Sequence, residues 1–245
     1  GLMQKGIKFR IYPNREQKNF IHQTLGCCRL IYNRGLAMRK ESYEEGKKIG
    51  YIQTSAMLTE LKRQEEFAFL KAADSIALQQ SLRDLDRSFV NFFQKRASYP
   101  TFKSKHNRFQ SYRTVNQKDN IRIVGRYIKL PKLGFVKIRQ SMEVGKINHV
   151  TIEYTPAGKY FAVLNIDFEP EPRPNAGGTI GIDVGIKAFY SDSNGNTVSN
   201  PRYLERSMRK LIREQRRLSR KQKDSHNRGK QRLRVARVHE KIANQ

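Results

Sequence analysis

Tryptophan is absent from this 245-residue sequence, cysteine occurs only twice, and 22 Asp and Glu stand against 49 Lys and Arg. Cys27 and Cys28 are adjacent within a helical pattern, where neighbouring side chains point in different directions. A metal pair is therefore not indicated, and we expect two reduced core residues. No apolar run approaches the roughly 18 residues that span a bilayer, and residues 1–6 lack a signal-peptide hydrophobic region. We therefore predict a cytoplasmic protein without a membrane partner.

The net charge of +27 indicates an anionic partner, because charges of one sign repel each other until something neutralises them. Nucleic acid, an acidic membrane surface and an acidic protein all fit this charge. The 11 Tyr and 13 Phe offer ring faces on which bases can stack, which favours nucleic acid. The sequence has no Gly-x-x-x-x-Gly-Lys-Ser/Thr phosphate loop, and we expect no small-molecule substrate.

The first hundred residues predict one strand and three helices. Residues 7–12 alternate between apolar and polar, the period of a half-buried strand. From Arg15 to about Lys40 the apolar residues recur at helical spacing. A shorter helix is predicted at residues 55–63, and a third begins after Asp74, which we assign as its N-cap.

The segment that follows predicts a loop and then a series of strands. Residues 99–109 are basic and aromatic without periodicity, which suits phosphate binding and base stacking, although a solvated basic loop is the alternative. Two hairpins are predicted, one at residues 127–130 and 135–139 and one at residues 150–154 and 160–168. Together with residues 7–12, these strands predict a small antiparallel barrel interrupted by a helical insertion.

Beyond a proline-spaced linker at residues 169–175, the chain places Asp183 in the middle of an apolar, strand-like run. A buried carboxylate is costly unless a partner or a metal neutralises it, and carboxylate-bound metals cut phosphodiesters in many nucleases. An actin-like ATPase has a similar Gly-Ile-Asp-x-Gly strand, but Ile186 and Lys187 stand here where that family places small hydroxyl residues. Residues 201–245 carry 16 basic and four acidic residues, and we predict that they form two basic antiparallel helices.

The ordered set of motifs resembles the TnpB (OrfB) family of IS200/IS605 transposons, which are relatives of the Cas12 nucleases. The motifs that carry the resemblance are Lys8-Phe9-Arg10-Ile11-Tyr12-Pro13-Asn14, Tyr32-Asn33, Phe92-Phe93, Pro100-Thr101-Phe102-Lys103, Leu130-Pro131-Lys132-Leu133-Gly134, Gly181-Ile182-Asp183-Val184-Gly185, Arg216-Arg217-Leu218-Ser219-Arg220-Lys221 and Asn227-Arg228. They occur in the family's order along essentially the whole chain.

The resemblance implies an α+β multidomain fold, with a small antiparallel wedge barrel split by a helical recognition insertion and followed by an incomplete RNase H-like (RuvC) domain with a basic helical hairpin. The implied boundaries are a first wedge segment at 1–14, a recognition domain at 15–98, a second wedge segment at 99–170, a linker at 171–178 and the N-terminal part of the RuvC-like domain at 179–245.

The resemblance also implies an RNA-guided DNA endonuclease of the prokaryotic cytoplasm, associated with the nucleoid. Its partners would be a guide RNA derived from the transposon end and a double-stranded DNA target that carries a short adjacent motif. Asp183 would be the first RuvC carboxylate and a ligand of catalytic Mg²⁺. The family's second and third carboxylates and its zinc ribbon would lie beyond Gln245, so we expect that this chain alone does not cut DNA. It would be part of a longer nuclease, a truncation, or a nuclease-dead relative that acts as an RNA-guided repressor.

Candidate contact residues follow from the resemblance and from the basic segments. The candidates for the target-adjacent DNA motif are Tyr51, Gln79, Thr114 and Asn116. The candidates for RNA or phosphate contact are Lys103, Lys105, Arg108, Arg113, Arg216, Arg217, Arg220 and Arg228. Ordinary solvent-exposed polar residues are the alternative for each of them.

Two other classes of function remain open from the sequence. Residues 15–45 would form a helix-turn-helix in a DNA-binding protein that uses no RNA. Basic charge and a small barrel are also common in RNA-binding proteins of the ribosomal type. Neither class explains a carboxylate in the strand around Asp183.

Overall fold

The computed structural model describes residues 1–108 and 110–170, together with helical positions 209, 210, 213, 214, 217, 234 and 235. Over these residues the chain is α+β, with a helical segment inserted between the first and second strands of one antiparallel sheet. The helices are α1 (Arg15–Glu44), α2 (Tyr51–Arg63), a 3₁₀ helix (Glu65–Ala72) and α3 (Ser75–Phe93). The strands are β1 (Met3–Tyr12), β2 (Gln110–Val115), β3 (Arg122–Val124), β4 (Tyr127–Leu130), β5 (Gly134–Ile138), β6 (Ile147–Tyr154) and β7 (Tyr160–Phe168).

A capping box begins α1 and also joins it to the sheet. The Asn14 side chain accepts a hydrogen bond from the Gln17 backbone N–H, and Gln17 Oε1 accepts one from the Asn14 N–H, both at 2.9 Å. The buried Gln17 amide then donates to the carbonyl oxygens of Leu133 and Phe135, at 3.2 and 2.8 Å. The start of the helix is therefore held against the β4–β5 turn.

The predicted N-cap of the third helix is confirmed. Asp74 is buried, and its Oδ1 accepts hydrogen bonds from the backbone N–H groups of Ile76 and Ala77 at 3.0 and 3.1 Å. The buried face of α3 packs against α1, and a Cβ on Gly35 would come within 2.9 Å of methyl groups of Leu82 and Leu85. Glycine at this position therefore permits the close approach of the two helices.

The sheet has the order β2-β6-β7-β1-β5-β4-β3, so the N-terminal strand lies at its centre. β1 pairs with β7 from Met3 opposite Phe168 to Ile11 opposite Tyr160, and its end pairs with β5. Both predicted hairpins are confirmed as β4–β5 and β6–β7. The helical segment is therefore an insertion between two strands of one sheet.

The closed barrel is a correction to the sequence prediction, because the sheet is open. Its edge strands are β2 and β3, and closure would require them to pair with each other. β2 is instead in contact with α3. Among the residues that the structure describes, the short β3 pairs only with β4.

A helix-turn-helix within residues 15–45 is also not formed, since Arg15–Glu44 is one continuous helix. No helix in the described part of the chain is both long enough and apolar enough to cross a membrane. The predicted linker at 171–178 and the strand of Asp183 lie outside the described residues, as does most of the predicted segment at 179–245.

Candidate nucleic-acid interface

An exposed basic segment, residues 101–108, connects the helical insertion to the sheet. Every residue in it is exposed, and it includes the predicted contact residues Lys103, Lys105 and Arg108. It follows α3 and precedes β2, so it lies where helices and sheet meet. We call it the basic loop.

The side chain of Asn33 fixes the basic loop to α1. Its Nδ2 donates to the carbonyl oxygen of Lys103 at 2.9 Å, and its Oδ1 accepts from the Lys103 backbone N–H at 2.8 Å. An amide that satisfies both backbone groups of one residue imitates a strand partner. The loop therefore keeps a defined position although it is fully exposed.

Lys103 is exposed as a residue, but its ammonium is directed inward. Its Nζ lies 4.1 Å from the centre of the Tyr32 ring, a cation–π contact. Burial lowers the pKa of this ammonium, and the nearby Asp84 carboxylate opposes that shift. Lys103 therefore places a partly desolvated positive charge at the base of the loop.

A cleft of about 290 Å³ opens beside Lys103, between α1, α3, the basic loop and β2. Its lining includes Cys28, Arg29, Asn107, Gln110 and Tyr112. Burial, with a contribution from Asp74, raises the pKa of the Cys28 thiol far above its ordinary value. Cys28 is therefore a protonated, buried thiol, as the sequence predicted for the cysteine pair.

Arg113 joins the sheet to the helices. Its guanidinium donates to Gln80 Oε1 at 2.9 and 3.2 Å and to Asp84 Oδ1 at 2.6 Å. Since Asp84 also pairs with Arg87 at 3.1 Å, one carboxylate serves two arginines. Arg113 positions β2 against α3, and the phosphate contact predicted for it stays a prediction.

The four residues predicted to contact the DNA motif are not brought to one surface. Gln79 is exposed on α3, whereas Tyr51 is half-buried, with the guanidinium of Arg83 4.1 Å from its ring centre. Thr114 is only 1% exposed, and its hydroxyl has no hydrogen-bond partner among the described residues. Asn116 uses its amide on the backbone of Ile121 and Ile147. Of the four, only Gln79 offers its side chain freely to solvent, and the contacts themselves stay predictions.

Two known family models match parts of this chain. A family model described as "Helix-turn-helix domain" of OrfB from IS605 matches residues 3–48, and one described as "Probable transposase" of the same OrfB matches residues 149–245. The chain belongs to the OrfB (TnpB) family of IS605-type transposons. In this OrfB chain the residues of the first match form β1 and α1.

Two relatives of this OrfB chain are similar over nearly its whole length. A Streptomyces pristinaespiralis protein named "Putative RNA-guided DNA endonuclease" is 37% identical over 244 residues, which are 98% of this chain and 60% of that protein. A second, from Escherichia coli strain K12, is named "Putative RNA-guided DNA endonuclease InsQ" and is 35% identical over 246 residues, with the same coverage. "Virulence protein VsdF" of Salmonella dublin is 32% identical over 114 residues, 42% of this chain and 96% of that protein. The chain spans about 60% of the length of the first two.

Four predicted site residues of this OrfB chain, Asp183, Arg216, Arg220 and Arg228, lie outside the described residues. Arg217 is described: it is helical and exposed, and it pairs with Glu214 at 3.3 Å. In the described part of the chain, no three His, Cys, Asp or Glu side chains come together in a way that could hold a metal ion. The Mg²⁺ site predicted at Asp183 therefore stays a prediction.

Sequence reasoning missed the residues that position the interface, Asn33 and the pair Gln80 and Asp84. A signal for Asn33 was present, because asparagine competes with the backbone for hydrogen bonds and is unfavourable inside a helix. An asparagine in the middle of a 30-residue helix therefore indicates a tertiary partner. Its partner, 70 residues away at Lys103, carries no comparable signal.

We expect Asn33→Ala to release the basic loop and to lower the free energy of unfolding by only about 1–1.5 kcal/mol. The two lost hydrogen bonds are exposed and contribute about 1 kcal/mol each, and alanine regains about 0.6 kcal/mol of helix propensity. Limited trypsin digestion with mass spectrometry is expected to show cleavage after Lys103, Lys105 and Arg108 at least severalfold faster than in the parent chain. Asn19→Ala, at an exposed position of the same helix, is the control. Equal cleavage rates in both variants would show that Asn33 does not hold the loop.

Proposed function

We propose that this chain forms the guide-RNA-binding and target-DNA-binding part of an RNA-guided DNA endonuclease. The observation that carries the proposal is the 35–37% identity, over 98% of the chain, to two proteins whose names state that activity. A net charge of +27 supports a polyanionic partner. The basic loop supplies a surface for one, since its backbone is fixed by Asn33 while Lys105 and Arg108 stay exposed.

The proposal extends to the finer architecture of the family. The sheet would be the wedge, split by recognition helices at residues 15–98, and residues 179–245 would begin a RuvC-type nuclease domain. The central position of β1, far in sequence from its partners β5 and β7, supports a wedge assembled from two segments. The guide RNA would come from the transposon end, and the target would carry a short adjacent motif.

The RNA that accompanies the protein tests this proposal directly. The chain would be purified after expression from its native locus, and the bound RNA sequenced. We expect one abundant RNA with a constant part and a variable 3′ end. A gel-shift assay should then show binding of a duplex that matches the variable end and none of a scrambled duplex. Heterogeneous RNA, or equal binding of both duplexes, would overturn the guided function.

Asp183 is proposed as a ligand of the catalytic Mg²⁺, which would activate a water molecule and stabilise the leaving oxygen at the cut phosphodiester. We expect Asp183→Ala to bind the matched target with an affinity within about twofold of the parent. In any longer form of the protein that cuts DNA, the same substitution should abolish Mg²⁺-dependent cleavage. The assay pairs a gel shift with a cleavage gel in Mg²⁺ and in EDTA. Cleavage that survives in Asp183→Ala would remove Asp183 from the metal site.

The 245-residue chain by itself is proposed to bind without cutting, and the same cleavage gel tests this. The chain spans about 60% of the length of its two curated relatives. The gel should therefore compare cleavage by the 245-residue chain with cleavage by any longer product of the same gene. A matched target cut by the 245 residues in Mg²⁺ would contradict the proposal.

A further inference from the structure

A second cleft, of about 300 Å³, lies where the end of β1 and the start of α1 meet β4 and β5. It shares no lining residue with the cleft beside Lys103. Its described lining is Tyr12, Asn14, Gln17, Tyr127, Phe135 and Lys137 from the sheet and α1, and Arg209 and Arg213 from a helical segment. Sheet and basic helix therefore meet at this place.

A row of three side chains crosses the sheet at this cleft. Tyr12 lies opposite Lys137 across β1 and β5, and Lys137 lies opposite Tyr127 across β5 and β4. Residues directly opposite each other in antiparallel strands project from the same face, about 5 Å apart. An aromatic ring, an ammonium group and a second ring therefore stand side by side.

The two rings of this row differ in exposure. Tyr127 is buried and Phe135 lies at 1% exposure on the same face, so both form the floor. Tyr12 is 38% exposed, and the Arg10 guanidinium lies 5.1 Å from its ring centre. A guanidinium therefore already lies over the Tyr12 ring, and the exposed part of the ring stands at the rim, where a planar group can contact it.

The charge of the described lining favours an anion. Three of its described lining residues, Lys137, Arg209 and Arg213, are cations, and that described lining includes no Asp or Glu. The cleft beside Lys103, in contrast, contains Asp84. The amides of Asn14 and Gln17 already bond to each other's backbone and to the β4–β5 turn. Lys137, Arg213 and the Tyr12 ring are thus the groups by which the cleft would hold a ligand.

We propose that this cleft binds one unpaired nucleotide of a single-stranded nucleic acid, with its base stacked on Tyr12 and its phosphate held by Lys137 and Arg213. The inference deepens the proposed function and rests on it, because it assigns one nucleotide of the bound strand to a defined place. About 300 Å³ is at the lower end of ligand clefts and suits one nucleotide rather than several. Stacking on an aromatic ring tolerates any base, so the site reads the presence of an unpaired nucleotide rather than its identity.

Fluorescence anisotropy with a fluorescein-labelled 12-nucleotide oligouridine tests the site in the full 245-residue chain. Tyr12→Ala is expected to weaken binding about tenfold, because one base stack is lost, whereas Tyr12→Phe keeps the ring and should bind within about twofold of the parent. Lys137→Ala should reduce the slope of log affinity against log salt by about 0.7, the value for one phosphate of a single strand.

Matched controls separate this site from general effects. Tyr43→Ala removes a tyrosine of similar exposure, 44%, outside the cleft, and Lys159→Ala removes an exposed lysine in the β6–β7 turn. Both should bind like the parent. If Tyr12→Ala and Lys137→Ala match these controls while the parent binds the oligouridine, the cleft is not a nucleotide site and the proposed function is unaffected.

Two further outcomes address the source of the nucleotide and the proposed function itself. Free uridine monophosphate should not displace the oligouridine at equal nucleotide concentration. Displacement would indicate a site for free nucleotides and overturn the strand assignment. If the parent chain binds neither the oligouridine nor its native RNA, the proposed function fails together with the inference.

Discussion

Replacing Lys103, Lys105 and Arg108 together with alanine is expected to weaken guide-RNA binding about 50-fold at about 0.15 M salt, and to lower the salt dependence of log affinity by about 2. Each of the three cations lies in the exposed basic loop, and each phosphate contact on a single strand contributes about 0.7 to that slope. Because Lys105 and Arg108 are exposed, their substitution should change the free energy of unfolding by only a few tenths of a kcal/mol each, and loss of the Lys103 cation–π contact should add about 0.5–1 kcal/mol. Filter binding at four salt concentrations measures both quantities.

The control variant carries the same change of charge away from the basic loop. Arg126, Lys146 and Lys159 are exposed residues of the turns and connections of the sheet, and their triple alanine variant also loses three positive charges. We expect it to weaken binding less than about fivefold, through the general field of the protein. Equal losses in the two triple variants would mean that the basic loop makes no specific phosphate contacts.

Local chemistry made much of the fold predictable. The first helix begins at the predicted Arg15, and Asp74 caps the third as predicted, because an N-cap side chain satisfies N–H groups only a few residues away. The alternation in β1 and the two hairpins are equally local signals, and the structure confirms them. The exposure of the basic loop followed from its lack of hydrophobic periodicity.

The order of strands and the partners of individual side chains were not predictable in the same way. Periodicity shows which face of a strand is buried but not which strands pair at the edges, so an open sheet and a barrel have the same pattern. Thr114 and Asn116 are polar in sequence, yet one is buried and the other is bonded to the backbone of β6 and of the segment before β3. Arg113 reaches Asp84 across 29 residues. Such pairs depend on the assembled fold, and no local pattern encodes them.

The interior of the helical segment is expected to respond most strongly to the loss of Phe89. This ring is 2% exposed, packs edge to face on Tyr99 at 5.4 Å and 86°, and lies 4.3 Å from the guanidinium of Arg39. Phe89→Ala should lower the free energy of unfolding by about 3–5 kcal/mol, from lost burial and the cavity that remains. Urea unfolding followed by circular dichroism measures the change.

The arginine beside the Phe89 ring is the reason to expect a loss of stability near the upper end of the 3–5 kcal/mol range, or about 5 kcal/mol. Arg39 is buried and pairs with Asp86 at 2.7 Å, and Phe89 covers the face of its guanidinium. Without the ring, the Arg39 guanidinium would face a cavity. A charged group beside a cavity is less favourable than apolar side chains beside one. Because Tyr99 lies two residues before the basic loop, trypsin sensitivity of the loop should rise in the same variant.

Phe93 supplies the matched control, since it belongs to the same helix and the same aromatic group but is 40% exposed. Phe93→Ala should cost less, about 1–2 kcal/mol, because 40% of the residue's surface already contacts water. Comparing the two variants separates the effect of burial on stability from the effect of aromatic contact. If both variants lost the same free energy of unfolding, burial of the Phe89 ring would not be what stabilises this core. The basic loop would then be held by the Asn33 hydrogen bonds alone.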